Sequence, residues 1–350
     1  MTVQRKYRVI QWATGNVGKV AIRQFVENPA FELAGVLVTN PDKVGKDAGE
    51  LAGLPPTGVI ATDDVETIMG LAADCVHFAG AVEDLDTLCR LLRSGKNVVS
   101  PLGPFYPSNQ YPHSVETSEA IAAACREGGT SFHGSGIHPG FAGDLLPLIL
   151  ARAAGRIDHI HVTEVVDFSA NPSSYIPFMG FGREPADLLA NPARSPDAAL
   201  MFSQSMAMVI EALGKTIERM ETSLELATAT RDIPYPGGVV TKGTVGGQHY
   251  EWTAIVEGKP LMTFHCFWTM GDAIDPAWNC GPSGYSVRLE GDPALMMTLS
   301  GIDDQGRPQY PGLSLTALLG VNAIPAVCDA PPGIVTHREM GLFVPPGLLR

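Results

Sequence analysis

The stretch Arg8 to Asn28, RVIQWATGNVGKVAIRQFVEN, passes from a strand through a glycine-containing turn straight into a helix, and its reading decides the fold. Val9, Ile10 and Trp12 form a buried strand, while Val17, Val20, Ala21 and Phe25 recur at helical spacing and give the helix an apolar face. Gly15 and Gly18 fall where a dinucleotide-binding turn needs residues without side chains, and Ala13 occupies the position of the usual first glycine. Unpaired N–H groups at a helix N-terminus carry partial positive charge, so a diphosphate lies against them if no β-carbon intervenes. Gly15 provides that approach, and Gly18 lets the helix pack on the strand. Thr14, Gly15, Asn16, Val17 and Gly18 are therefore the candidate pyrophosphate-binding residues.

The next strand, Phe31 to Thr39, ends in Thr39-Asn40-Pro41-Asp42-Lys43. A carboxylate at that strand end would accept the ribose hydroxyls of NAD and repel a 2′-phosphate. Here the end is neutral. Thr39 and Asn40 are suited to bond a 2′-phosphate, with Lys43 or Lys46 to neutralise it, which favours NADP. Asp42 is the dissenting residue: folded back on the ribose it would turn the preference toward NAD, whereas after a proline it shapes the turn.

Strands and helices alternate to about residue 155. Strand Asp74 to Ala79 ends in the small residues Ala79 and Gly80, where a nicotinamide ribose passes over such a sheet; mid-strand His77 reads as a core histidine. Helix Glu83 to Ser94 is closed by Gly95, strand Asn97 to Ser100 follows, then the proline- and aromatic-rich loop Pro101 to His113 and helix Ser114 to Arg126. Strand Ser131 to Gly134 leads into Ser135-Gly136-Ile137-His138-Pro139-Gly140-Phe141 and an apolar helix, Ala142 to Ala154. The predicted fold class is α/β, with a doubly wound parallel sheet over residues 1–155. From residue 156 to 312 the rhythm changes to long alternating segments broken by a helical insertion, Glu184 to Gly214, giving a second α+β domain on a mainly antiparallel sheet. Residues 313–350 form a helix and tail that pack back on the first domain.

The 350 residues are 45% hydrophobic and 17% charged, ordinary for a globular chain with a substantial core. The net charge of -13 argues against a nucleic-acid partner or an anionic membrane surface. Residues 1–8 show no signal core and no stretch approaches the ~20 apolar residues of a membrane span, so a cytoplasmic protein is expected. The six cysteines form no CxxC pair, and adjacent His265 and Cys266 point to opposite faces of a strand. No metal site is expected.

Three separated stretches, VIQWATGNVGK (9–19), GSGIHPGFAGDLLPL (134–148) and NAIPAVCDAPPGI (322–334), resemble the dihydrodipicolinate-reductase-like oxidoreductases that include 2,4-diaminopentanoate dehydrogenase and the native amine dehydrogenases. The resemblance implies a Rossmann domain plus an α+β substrate domain, a homodimer, and hydride movement between NAD(P)H and an imine carbon. Pro139, Gly140, Phe141 and Asp144 match the family's NPGF motif and the aspartate after it, with His138 where asparagine is usual. The glutamate that the amine dehydrogenases carry in the loop after Ser100 has no counterpart between Asn97 and Glu116.

Hydride transfer needs a nicotinamide held face-on, an electrophilic carbon near it, and a donor beside the heteroatom that gains charge. His138, Tyr175 and Tyr106 are the candidate proton donors. Leu102, Phe105, Phe141 and Phe178 are candidate walls for a small, largely apolar substrate. The expected function is an NAD(P)H-dependent oxidoreductase acting on a C=N or C=O carbon, with a non-catalytic NADP(H) sensor as the alternative. Because the loop Pro101 to His113 lacks a carboxylate, reduction of a carbonyl or preformed imine is expected to be at least as good as reductive amination.

Overall fold

The computed structural model describes residues 5–80, 84–108, 112–171, 176–190 and 196–348. β1 (Tyr7–Trp12) is buried at every position except Arg8, the pattern of a central parallel strand covered on both faces. α1 (Asn16–Glu27) follows with Gly18, Ala21, Ile22 and Phe25 as its buried stripe; Val17 and Val20 lie half-buried at its edge. Then come β2 (Phe31–Leu37), α2 (Ala48–Ala52), β3 (Ala61–Thr62), α3 (Val65–Gly70), β4 (Cys75–Phe78), α4 (Leu85–Arg93), β5 (Asn97–Ser100), α5 (Pro112–Gly128) and β6 (Ser131–Gly134). Asp64 and Asp84 cap α3 and α4 by accepting the backbone N–H groups of Glu66 and Thr87. All six strands pair in parallel, in the order β6-β5-β4-β1-β2-β3. The chain reverses its direction of winding at β1, so the crevice at the carboxyl ends of β1 and β4 is the place where such sheets bind ligands.

The segment after β6 departs from the expected turn and helix. Ile137–Leu145 is a wide π-helical stretch interrupted by non-helical His138, Pro139 and Gly140, the last at φ 114, and α6 is confined to Leu146–Ala151. The chain divides into two compact units, Met1–Phe141 with Gly312–Arg350, and Ala142–Pro311. The first therefore ends earlier than residue 155, because α6 packs against strands of the second.

The second unit continues with β7 (Arg156–Asp167), α7 (Pro185–Ala190), α8 (Pro196–Ala212), β8 (Arg219–Ala229), β9 (Ile233–Tyr235), β10 (Gly238–Val240), β11 (Val245–Val256), β12 (Lys259–Thr269), β13 (Ile274–Asp275), β14 (Gly284–Asp292), β15 (Leu295–Leu299), β16 (Gly301–Ile302) and β17 (Pro308–Gln309). Its main sheet runs β13-β8-β11-β12-β7-β14-β15. Neighbours are antiparallel except β12 and β7, which are parallel. α8 covers one face: Phe202 stacks on Trp252 with ring centroids 4.8 Å apart and meets Phe264 edge-on at 6.1 Å.

The chain then returns to the first unit. In α9 (Gly312–Cys328), Val321, Ile324 and Val327 join Val9, Phe25, Cys75 and Val99 in one core, on the opposite face of the parallel sheet from Ile10, Phe78, Leu91, Val98 and Phe132. β18 (Gly333–Ile334) adds a seventh parallel strand beside β6, and α10 (His337–Met340) starts with a capping box between Thr336 and Glu339. Among the described residues no helix is long and apolar enough to cross a membrane. Phe25 ties α1 to this core, 1% exposed and edge-on to Phe31 at 5.5 Å. Phe25→Ala should lower unfolding stability by about 3–5 kcal/mol, read from urea titrations.

Candidate active site

The turn after β1 is held by Gln11. This side chain is fully buried; its Nε2 donates to the carbonyl oxygens of Trp12 (3.0 Å) and Ala13 (2.8 Å). Its Oε1 faces Nδ1 of His77 at 2.8 Å, and since an amide oxygen only accepts, His77 carries its proton on Nδ1. Burial pushes the His77 imidazole down to about 4, so it is a neutral core residue, as its mid-strand position suggests. Ala13 takes a left-handed conformation, φ 69, at the position where a glycine is usual. A β-carbon on Gly18 would sit 2.1 Å from the Ala13 carbonyl oxygen, so Gly18 is required for the approach of α1 to the strand.

Gly15 differs. It is the exposed N-cap of α1, no side chain caps that helix end, and its first turn carries no acidic residue. A β-carbon placed on Gly15 meets nothing within 4 Å. The chain's own packing therefore does not need glycine there, whereas a pyrophosphate lying on the N–H groups of Asn16, Val17 and Gly18 does. The residues present fit a dinucleotide.

At the end of β2, Thr39 and Asn40 are exposed. Asn40 Oδ1 accepts the Asp42 backbone N–H at 2.9 Å and so shapes the short turn Pro41–Lys43. Lys43 reaches back to the glycine turn, donating to Thr14 O (3.0 Å) and Oγ1 (3.2 Å). Burial and the neighbouring charges of Lys19 and Lys46 lower its ammonium pKa, which places three cations around one end of the turn. Ala79 and Gly80 are half-buried at the end of β4, with Ala79 N–H bonded to Trp12 O at 3.1 Å. Beside them a small cleft opens at the carboxyl ends of β4 and β5, lined by Phe78, Leu85, Leu88, Ser100, Leu102 and Thr117.

The loop after β5 is less open than its sequence suggests. Phe105 is 4% exposed, packed against Gly136, and a β-carbon on Gly134 would strike the Pro104 carbonyl at 2.2 Å. Phe105 is thus a packing residue of the first unit rather than a wall with a free face. Tyr106 is also buried, and its hydroxyl accepts a 2.9 Å hydrogen bond from Arg338 Nη1, a partner that no local pattern reveals. His138 is half-buried in extended backbone beyond β6, and Phe141 is half-buried. Phe178, in the second unit, is 74% exposed. Tyr175 lies outside the described residues.

The second unit holds a carboxylate that the sequence reading passes over. Glu164, mid-β7, is 6% exposed and accepts the indole N–H of Trp268 at 2.7 Å. Register sets it between Cys266 and Tyr285, whose acidities are both weakened by burial first and then by the charge of Glu164. Tyr285 donates to Tyr310 at 3.2 Å. The signal for Glu164 is in the alternation: Ile160, Val162 and Val166 share its face of the strand, and an acid among them is out of place. Asp144, 1% exposed, accepts from Ser205 Oγ at 3.3 Å.

Residues 141–348 match the model of the 2,4-diaminopentanoate dehydrogenase C-terminal domain, and residues 9–100 match that of the dihydrodipicolinate reductase N-terminus. The chain belongs to the 2,4-diaminopentanoate dehydrogenase family. It is 34% identical to an amine dehydrogenase of Streptomyces virginiae, over 95% of this chain and 96% of that one. It is 24% identical to 2,4-diaminopentanoate dehydrogenase of Acetoanaerobium sticklandii, over 98% and 95%. The solved amine dehydrogenase of Mycobacterium smegmatis shares the fold at a TM-score of 0.78, with 20% identity over 97% of this chain and 98% of that one. This member of the family is an NAD(P)-dependent oxidoreductase, and the non-catalytic alternative finds no support among these relatives. Gly15→Val should leave the fold intact and abolish cofactor binding, because the new side chain enters space that only the ligand uses; cofactor fluorescence titration against a melting curve separates the two effects.

Proposed function

We propose that the enzyme moves a hydride from the C–N carbon of a small, largely apolar amine to NADP+, after which water adds to the iminium carbon and ammonia leaves to give the ketone, and that it runs the reverse with NADPH and ammonium. The observation that carries this reading is Glu164. Its carboxylate, buried on the apolar face of β7, is oriented by the indole N–H of Trp268, and a charge-assisted bond to an ammonium or iminium is what such a group offers a substrate. The amine and diaminopentanoate dehydrogenases among the relatives support C–N chemistry. On this reading reductive amination takes its place ahead of plain carbonyl reduction.

When bound, the nicotinamide accepts or returns the hydride. The chain's part is to hold the amine and move protons: Glu164 is the candidate to receive the ammonium and take its proton. The NADP preference is supported by Lys19, Lys43 and Lys46 around the turn and by Asn40 holding the Asp42 backbone in place. A homodimeric, cytoplasmic enzyme with neither nucleic-acid nor membrane partner belongs to the same reading, in keeping with the net charge of -13.

NADPH should bind at least tenfold more tightly than NADH, a gap of about 1.4 kcal/mol, in fluorescence titrations; a preference for NADH would show that Asp42 governs the ribose. Glu164→Gln keeps an oxygen for Trp268 but removes the charge. Its reductive amination of cyclic or short-chain ketones should fall about 10²-fold or more with the Kd for NADPH unchanged, and near wild-type turnover in the folded variant would exclude Glu164.

A further inference from the structure

Four of the protein's nine histidines lie on one face of the second unit's sheet. Strand alternation puts His249 and Glu251 of β11, His265 of β12 and His159 and His161 of β7 on that side, opposite to Cys266 and Glu164. The rings form a continuous row: His159 stacks on His161 at 4.1 Å, His161 on His265 at 5.6 Å, His265 on His249 at 5.8 Å, and His249 on Phe267 at 3.9 Å.

We propose that His249, Glu251 and His265 form a binding site for a divalent transition-metal ion of the zinc type. One ligand atom from each residue lies within 4.8 Å of the others, and His265 Nδ1 is 3.3 Å from Glu251 Oε2. Ligands about 2.0–2.2 Å from a tetrahedral zinc are about 3.4 Å apart, so side-chain rotation alone closes the set around an ion. Two paired strands, β11 and β12, position the ligands, and Glu251 lies directly across from His265 in the ladder.

The contacts around His265 are consistent with this role. His265 Nε2 and His161 Nδ1 are 3.3 Å apart, and His161 Nε2 is 3.3 Å from Glu290 Oε1. Either ring nitrogen of this pair can be the donor, so His161 supports His265 from the side away from Glu251. His265 Nδ1 lies on the Glu251 side, where a bound ion would take its lone pair. An outer carboxylate and imidazole that orient a ligating histidine are the usual support of a metal site. On His249, Nδ1 is 3.4 Å from Glu225, while Nε2 is a buried nitrogen with no hydrogen-bond partner among the described residues.

The neighbouring trio, His159, His161 and Glu290, is less suited. Arg288 Nη1 already occupies Glu290 Oε1 at 2.7 Å, and His159 Nε2 is bonded to Thr263 Oγ1 at 2.8 Å. At the proposed site the side chains of His249, His265 and Glu251 are 13%, 22% and 38% exposed, which admits an ion from solvent and leaves a fourth position for water.

The test is titration of untagged, chelator-treated full-length protein with Zn²⁺ by calorimetry, with Co²⁺ absorption reporting the geometry. One ion per chain is expected, with affinity at least tenfold weaker in each of His249→Ala, His265→Ala and Glu251→Gln, and unchanged in His159→Ala. Glu251→Gln changes charge but not shape, so it remains informative if a histidine variant fails to fold. Absence of binding, or binding that the three substitutions leave within twofold, would overturn the site.

Discussion

The buried amide of Gln11 is the contact on which the first unit's binding surface depends. One end of it grips the carbonyls of Trp12 and Ala13, the other the neutral ring of His77, so the strand end, its left-handed alanine and the neighbouring strand form one rigid piece. Because the Ala13 carbonyl is fixed, Gly18 sets how closely α1 approaches, and because α1 is fixed, its uncapped N-terminus faces the space above Gly15. Lys43 adds a second anchor from the turn after β2 by bonding Thr14. A cofactor turn built this way is preorganised: little ordering remains to be done when a pyrophosphate arrives.

The second unit uses the two faces of one sheet for different purposes. The face that includes Glu164 is lined by aromatic and aliphatic residues and keeps a buried carboxylate oriented by Trp268. The opposite face carries the histidine row and its acids. The period of two means that His265 and Cys266, adjacent in the chain, serve opposite faces.

The strand–turn–helix unit around Gly15 was legible because everything that specifies it is local: strand burial, helical periodicity and two glycines. The change to a second, strand-rich unit was legible from alternation for the same reason. The parallel pairing of β12 with β7 was not, since alternation records which face a residue occupies and not the direction of its neighbour. The π-helical stretch at Ile137–Leu145 was misread as a turn and a long helix because the apolar run extends through it while Pro139 and Gly140 break the backbone. Tyr106 reads as a cleft-facing phenol until Arg338, 232 residues further along, is seen to hold its hydroxyl. Phe105 reads as a pocket wall because an aromatic in a proline-rich loop looks available, yet it packs against Gly136. Glu164 was within reach of the sequence, as an acid on the apolar side of β7, but its partners Trp268, Cys266 and Tyr285 come from strands far along the chain.

The central claim is hydride transfer to a carbon that ends up bearing nitrogen. The most direct measurement supplies the enzyme with NADPH deuterated at the transferable position, a small cyclic ketone and ¹⁵N-ammonium, and follows the product by mass spectrometry. The account predicts an amine carrying both one deuterium and the ¹⁵N label. A deuterated alcohol without nitrogen, or no deuterium transfer at all across a panel of apolar ketones, would contradict it.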